Sequence, residues 1–389
     1  METTKSSKTK TILAGVVPVI ILAAMVAYLF GPSSDLLNFG VSLPEITIER
    51  IDFVDSEIQV VVRNTGPIDV SIAQADVNDR IHPAAIEPDK YLSRFEAATV
   101  RIPFEWNEAE PYEIGLTVQD GTRFSQSVAA AAPAMKPSVE LASYFAVIGT
   151  YVGIIPVMIG LLWLPFIAKL SPTKYKFFLA ITVGLLLFLG IDAVEEGLEI
   201  SSERLAGSFN GQLLVATVVV CSFIGLYYAS EKLVSRASGK ITKSVAIALM
   251  VSIGIGLHNL GEGLAIGAAI GLGEVALSTF LIIGFTIHNT TEGLAIAAPM
   301  ARQKPMIAKL AAMGLIAGAP AIFGAWIGGF QYSPIYTIIF LAIGAGAIFQ
   351  VVVSIMGWMR QDEKGLLSAP IAAGIAVGMI VMYLTSILV

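Results

Sequence analysis

The 389-residue chain is poor in the groups that most metal sites and soluble surfaces use. It has one cysteine, three histidines and only 14% charged residues. A single cysteine, Cys221, excludes an intrachain disulfide and any thiolate-only metal site. An ordinary soluble protein carries nearer to a quarter charged residues. Here 55% of residues are hydrophobic, and they gather in runs of about twenty, the length that crosses a bilayer. The pattern predicts a polytopic α-helical membrane protein. The net charge of −6 carries little information, because in such chains the distribution of charge matters more than its sum.

Residues 1–10 are polar and include Lys5, Lys8 and Lys10; an apolar stretch then runs from Thr11 to Phe30. It is longer than the core of a cleaved signal and lacks a small-residue cleavage site, so residues 1–30 are expected to form a cytoplasmic basic tip and a signal-anchor helix. Residues 41–130 change to period-two alternation, as in Ile58, Val60, Val62 and Val100, Ile102, Phe104. With turn signals at Asn64-Thr65-Gly66-Pro67 and Asp120-Gly121, six or seven short strands are expected in a small extracytoplasmic β-sandwich. Asp120-Gly121 should close a tight hairpin. His82, alone beside Pro83, reads as a loop residue rather than a ligand. Residues 131–140 form a linker.

From residue 141 to 389 the expectation is eight spans, at about 141–168, 176–200, 211–230, 244–269, 275–299, 306–329, 334–358 and 366–388. Lys and Arg concentrate after the odd-numbered spans, as in Lys169 and Lys174, Lys232 to Lys243, Arg302 to Lys309, and Arg360 with Lys364. The positive-inside rule puts those connections in the cytoplasm and the C-terminus outside, in a multi-pass cell-membrane protein with a cytoplasmic N-terminus.

Two of the three histidines sit in matching strings, His258-Asn259-Leu260-Gly261-Glu262-Gly263-Leu264 and His288-Asn289-Thr290-Thr291-Glu292-Gly293-Leu294, on the fourth and fifth spans. His and Glu four residues apart share a helix face. Ionisable residues at membrane depth cost at least ~2.5 kcal/mol each. A divalent cation is the natural counter-charge for two such glutamates. Neutral imidazole with carboxylate suits Zn²⁺, Fe²⁺ or Mn²⁺ better than Ca²⁺ or Mg²⁺. The residues proposed as metal ligands are therefore His258, Asn259, Glu262, His288, Asn289 and Glu292. Gly263 and Leu264, with their copies, read as close-packing residues.

A degenerate third copy, Asp192 to Ile200 on the second span, puts Asp192, Glu195, Glu196 and Glu199 near one helical face. This is expected to be an acidic approach that attracts cations, although Glu195 and Glu199 fit a solvated helix end equally well. Gln350 and Ser354 on the seventh span either line the pathway or bond between helices.

At these residues the chain resembles the ZIP (Zrt/Irt-like protein) family of divalent-metal transporters. The resemblance covers about 140–389 and leaves out the β-domain. It implies an eight-helix bundle with an inverted repeat, a binuclear metal centre, and movement of metal toward the cytoplasm. By motif match His258, Glu262, His288 and Glu292 would form one metal position; Asn259 and Asn289, with both glutamates as bridges, would form the second. The chain departs from the family pattern in three places. Gly261 and Thr291 stand where proline is common, so any proline kink comes from elsewhere. Ala317-Gly318-Ala319-Pro320-Ala321 on the sixth span lacks the usual carboxylate. The loop Glu231–Lys243 has no histidine.

The function expected is transport of zinc, iron or manganese, with Cd²⁺ also admissible, as substrate and not as cofactor. No enzymatic activity is expected, since no His-Glu-x-x-His motif or separate general base is present. The expected partners are divalent metal ions and the lipid bilayer, with a homodimer left open and nucleic acid excluded. Two other readings stay open at this point: a metal sensor or receptor whose β-domain is the active part, and an intramembrane metalloenzyme.

Overall fold

The computed structural model describes residues 16–17, 19–25, 27–28, 42–134, 137–205, 210–236, 242–273, 275–301, 307–331, 333–359 and 368–388. The chain divides into two compact units, Met1–Pro44 and Glu45–Val389. In the first, the described residues between 16 and 28 are helical and exposed. The basic tip with Lys5, Lys8 and Lys10 lies outside the described residues, as do Lys240, Glu274, Arg302, Lys304, Arg360 and Lys364.

The second unit begins with nine strands: β1 (Ile46–Val54), β2 (Glu57–Asn64), β3 (Val70–Val77), β4 (Arg80–His82), β5 (Ala85–Glu87), β6 (Tyr91–Leu92), β7 (Ala97–Pro103), β8 (Tyr112–Val118) and β9 (Arg123–Val128). One antiparallel sheet has the order β1-β2-β7-β5 and the other β4-β3-β8-β9, with β6 paired to β3. The alternation explains the core: Ile58, Val60 and Val62 on β2 and Ile114, Leu116 and Val118 on β8 are buried. Strands outnumber the six or seven expected because β4, β5 and β6 are only two or three residues long. The hairpin expected at Asp120-Gly121 has a wider mouth than a two-residue turn. Thr117 pairs with Arg123, and Val118 N donates to Thr122 O at 2.9 Å, so three residues form the turn. Asp120 Oδ1 accepts from Thr122 N at 2.9 Å, and Gly121 takes a φ of +92°, which favours glycine. His82 is half-buried with its ring edge-on to Phe104, 5.1 Å between centroids.

The helices follow. A first apolar rod runs through α1 (Val139–Gly149), a π-helical turn Thr150–Ile154, α2 (Ile155–Leu161) and α3 (Leu164–Ile167). Then come α4 (Pro172–Arg204), α5 (Gly211–Ser235), α6 (Lys243–Gly271), α7 (Val275–Met300), α8 (Ile307–Gly318), α9 (Pro320–Phe330), α10 (Pro334–Met359) and α11 (Ala369–Leu388). α8 and α9 form one rod broken at Ala319. Among the described residues seven helical rods are long and apolar enough to cross a membrane, and α11 is a further apolar helix. The chain is a polytopic helical membrane protein with a small β region.

α6 is the most enclosed rod and α5 the least, so α6 forms the axis of the bundle while α5, with the exposed Cys221, presents most of its surface outward. α6 packs against α7, α8, α9 and α10; α7 packs on α2; α4 packs on α10 and α11. The β region rests on the ends of α4 and α6. With its side-chain amide turned to satisfy both neighbours, Gln126 donates to Ile48 O at 3.1 Å and accepts from Arg204 Nη1 at 2.7 Å. A cavity of about 320 Å³ lies beside this contact, lined by β1, the segment after β9, Arg204 and Ile270–Gly273.

Candidate metal centre

α6 and α7 are successive helices joined through Leu272 and Gly273, the latter at a φ of +74°. So short a connection keeps the rods together at that end, and the two motifs face each other. Glu262 and Glu292 are each 2% exposed, and Asn259 and Asn289 are fully buried. Burial of this kind is costly unless the groups are paired.

Glu262 is the hub. Its Oε1 faces His258 Nε2 at 2.9 Å and also makes a short contact with His288 Nε2. Its Oε2 accepts from Asn289 Nδ2 at 3.1 Å. The ligand atoms of His258, Glu262 and His288 all lie within 4.8 Å of one another, close enough for one ion to reach all three. The two imidazoles are 6.3 Å apart between centroids, and Phe285 packs on His288 at 5.2 Å.

Glu292 is differently placed. Asn259 is the polar side chain that faces it. Neither carboxylate oxygen of Glu292 completes a hydrogen bond of good geometry, and the Oδ1 atoms of Asn259 and Asn289 also lack a partner. Four buried oxygens without donors are what a cation requires and what an uncharged interior penalises. The six motif residues thus come together, but unevenly: both histidines turn to Glu262, while Glu292 keeps its oxygens free beside Asn259.

The amides are oriented by backbone. Asn289 Nδ2 donates to Val152 O at 3.0 Å, within the π-helical turn of the first rod. Asn259 Nδ2 donates to Ala317 O at 3.1 Å, next to the break between α8 and α9. The glycines of the motifs permit this approach. A Cβ on Gly263 would run into the Ala321 carbonyl of α9, and one on Gly293 into the Val157 carbonyl of α2. Sequence reasoning read these glycines as packing residues; it missed Pro156 and Pro320, which supply the interruptions. Both prolines stand near the middle of an apolar run, and an internal proline in such a run is a signal for a kink.

Asp192 lies within electrostatic range of His258, His288 and Glu262, and Glu196 within range of Asp192 and Glu262. Asp192, Glu195 and Glu199 are exposed and Glu196 is half-buried. The acidic face of α4 therefore begins within electrostatic range of the histidine pair and continues toward the C-terminal end of the helix. On the opposite side, Thr182, Leu185, Leu186, Leu189 and Met382 close a crevice of about 10 Å³ beneath His288, Thr291 and Glu292. Gln350 is buried, and its amide donates to Ser354 Oγ at 2.7 Å along α10, so this pair bonds within one helix rather than between helices.

No protein-family model matches the chain, and no curated protein matches it either.

Proposed function

We propose that the protein carries divalent transition-metal ions, Zn²⁺, Fe²⁺ or Mn²⁺, across the membrane toward the cytoplasm, in the manner of the ZIP family that the paired motifs resemble. The observation that carries this reading is the arrangement around Glu262. A buried carboxylate faces two imidazole Nε2 atoms at mid-depth of two membrane-length helices, with a second buried carboxylate, Glu292, beside them. Nitrogen and oxygen donors without thiolate hold such ions firmly enough to strip water and loosely enough to release them. Metal enters along Asp192 and Glu196, binds between α6 and α7, and leaves once the apolar floor of Leu185, Leu186, Leu189 and Met382 parts.

The same reading takes α11 as an eighth span and the bundle as an inverted repeat. Two correspondences support the repeat. Asn259 bonds to the broken sixth rod as Asn289 bonds to the interrupted first rod, and Gly263 meets α9 as Gly293 meets α2. The distribution of Lys and Arg supports a cytoplasmic N-terminus, with the β-domain and C-terminus outside, and the first unit as an anchor.

Uptake of Zn²⁺, Fe²⁺ and Mn²⁺ into proteoliposomes tests the reading. The unmodified protein should accumulate at least one of them, and Glu262→Ala and Glu292→Ala proteins should not. Equal flux through the unmodified and substituted proteins would remove the site assignment.

A further inference from the structure

The cavity of about 320 Å³ beneath the β region has no part in the metal centre. It lies where the outer strands of the two sheets, β1 and β9, meet Arg204 at the end of α4 and residues 270–273 at the end of α6. A second hollow, of about 530 Å³, continues between the start of β1, β9 and residues 203–205. Gln126, Ser127 and Arg204 stand in the walls of both.

Arg204 differs from the other partly buried arginines. Arg50 is paired with Asp52, Arg63 with Glu49 and Arg101 with Glu87. Arg204 is half-buried, yet no carboxylate among the described residues makes an ion pair with it. Its Nη1 donates to the Gln126 amide oxygen at 2.7 Å, and the Gln126 nitrogen is in turn held by Ile48 O at 3.1 Å. The guanidinium is thereby pinned to β9 at one nitrogen. A guanidinium is a rigid fork of five N–H donors with no acceptor, so the rest of the fork opens into the hollows.

The nearby acids do not answer it. Asp52 Oδ2 is taken by Arg50 Nε at 2.7 Å, and Glu45 and Glu203, in the wall of the second hollow, form no ion pair with Arg204. A cation in the last turn of α4 suits the helix dipole, which accounts for an arginine at this position but not for its burial and pinning. A partly buried charge is costly until an opposite charge meets it.

We propose that the two hollows form a second binding site, for a small water-borne organic anion whose carboxylate takes the open fork of Arg204. Fork and carboxylate match in a bidentate pair, and the Ser127 hydroxyl is a further donor in the same walls. Val128, Ala130, Ile270 and Leu272 give the carbon skeleton an apolar surface. The enclosed volume is at the small end of ligand pockets, which suits a di- or tricarboxylate. Because α6 is the most enclosed rod, its end lies over the middle of the bundle, so the anion arrives from water rather than as a lipid headgroup. None of this depends on the transport reading; ligand, residues and readout are all different.

The experiment is calorimetric titration of the full chain, freed of metal with EDTA and held in phosphatidylcholine nanodiscs. Succinate, citrate and inorganic phosphate are the probes. Arg204→Gln and Arg204→Lys are compared with the unmodified protein, and Arg80→Gln, an exposed arginine on β4, is the control for general charge. At least one carboxylate should bind the unmodified and Arg80→Gln proteins with a Kd below about 1 mM. Arg204→Gln should raise that Kd roughly tenfold or more, and Arg204→Lys should raise it too, since an ammonium lacks the fork. Failure of both carboxylates to bind, or equal binding by Arg204→Gln, overturns the proposal. Phosphate binding tighter than either carboxylate overturns the ligand class. Loss of carboxylate binding in nanodiscs containing phosphatidylglycerol would give the fork to a lipid headgroup and overturn the water-borne ligand. If Arg204→Gln does not fold, Arg204→Lys decides, and unchanged affinity there overturns the site.

Discussion

Placing a methyl group on the motif glycines gives a sharp test, because the structure fixes how far the helices must part. A Cβ at position 293 would lie 2.8 Å from Gly160 Cα, and one at position 263 would lie 2.9 Å from Ala321 Cα, with a carbonyl oxygen nearer still in each case. Carbon atoms pack comfortably at about 3.5–4.0 Å, so each helix pair must open by roughly 0.6–1.2 Å. The candidate metal centre, His258, Glu262 and His288, sits on these helices. A constellation of ligands tolerates about 0.5 Å, and a misplacement near 1 Å costs on the order of 100-fold in function. Gly263→Ala and Gly293→Ala should therefore lower Zn²⁺ uptake by one to two orders of magnitude while removing no ligand. Gly225 supplies the control, since a Cβ there meets nothing within 4 Å. Gly225→Ala should leave uptake unchanged and stabilise its helix by up to about 1 kcal/mol. The assay is initial-rate uptake into proteoliposomes with matched protein incorporation, with Zn²⁺ titration of the same samples. If Gly263→Ala and Gly293→Ala carry and bind metal like Gly225→Ala, the ligand geometry does not depend on these crossings and the reasoning fails.

Three further outcomes follow from other parts of the molecule. Asp192→Asn should slow uptake by about tenfold at low ionic strength and much less near 1 M salt, where charges are screened within ~3 Å; a salt-independent deficit would deny the acidic approach its role. Arg123 bonds to the buried Asp76 at 2.6 and 3.0 Å, and that carboxylate holds the guanidinium above its ordinary range. Arg123→Met should destabilise the β-domain by about 3 kcal/mol, the low end for stripping a buried carboxylate of its partner, because Arg123 is a third exposed; unaltered hydrogen exchange in β3 and β8 would refute this. Deleting residues 42–130 should leave Zn²⁺ flux in place, whereas a sensor working through its β-domain would lose its function.

Much of the architecture was legible in the sequence for simple reasons. Apolar runs of membrane length announce themselves by composition, and Pro172–Arg204, Lys243–Gly271 and Val275–Met300 fall close to the spans expected there. The β2 and β8 alternation is equally plain, because a half-buried strand has a period of two. The histidine and glutamate positions could be read because their cost in an apolar run demands a reason. Less legible was everything that depends on which rods touch. Gly256 and Gly263 look alike in the sequence, yet one faces the Ile316 carbonyl and the other that of Ala321. The π-helical turn at Thr150–Ile154 leaves no periodic trace, and the asparagine donors find carbonyls 137 and 58 residues away. Glu292 could not be told from Glu262 by motif. Only the packing makes one a hub and leaves the other with free oxygens.

Those separations also set a timetable for the growing chain. When Ala317 leaves the ribosome, Asn259 has already been made, so the sixth rod can enter the membrane with its donor waiting. Val152 has the opposite history. Its donor, Asn289, is synthesised 137 residues later, and a bare carbonyl in hydrocarbon costs several kcal/mol. The first rod must therefore keep its interruption hydrated, or sheltered within the insertion machinery, until α7 arrives. The earliest rod of the bundle to be translated thus completes its pairing only when α7 arrives.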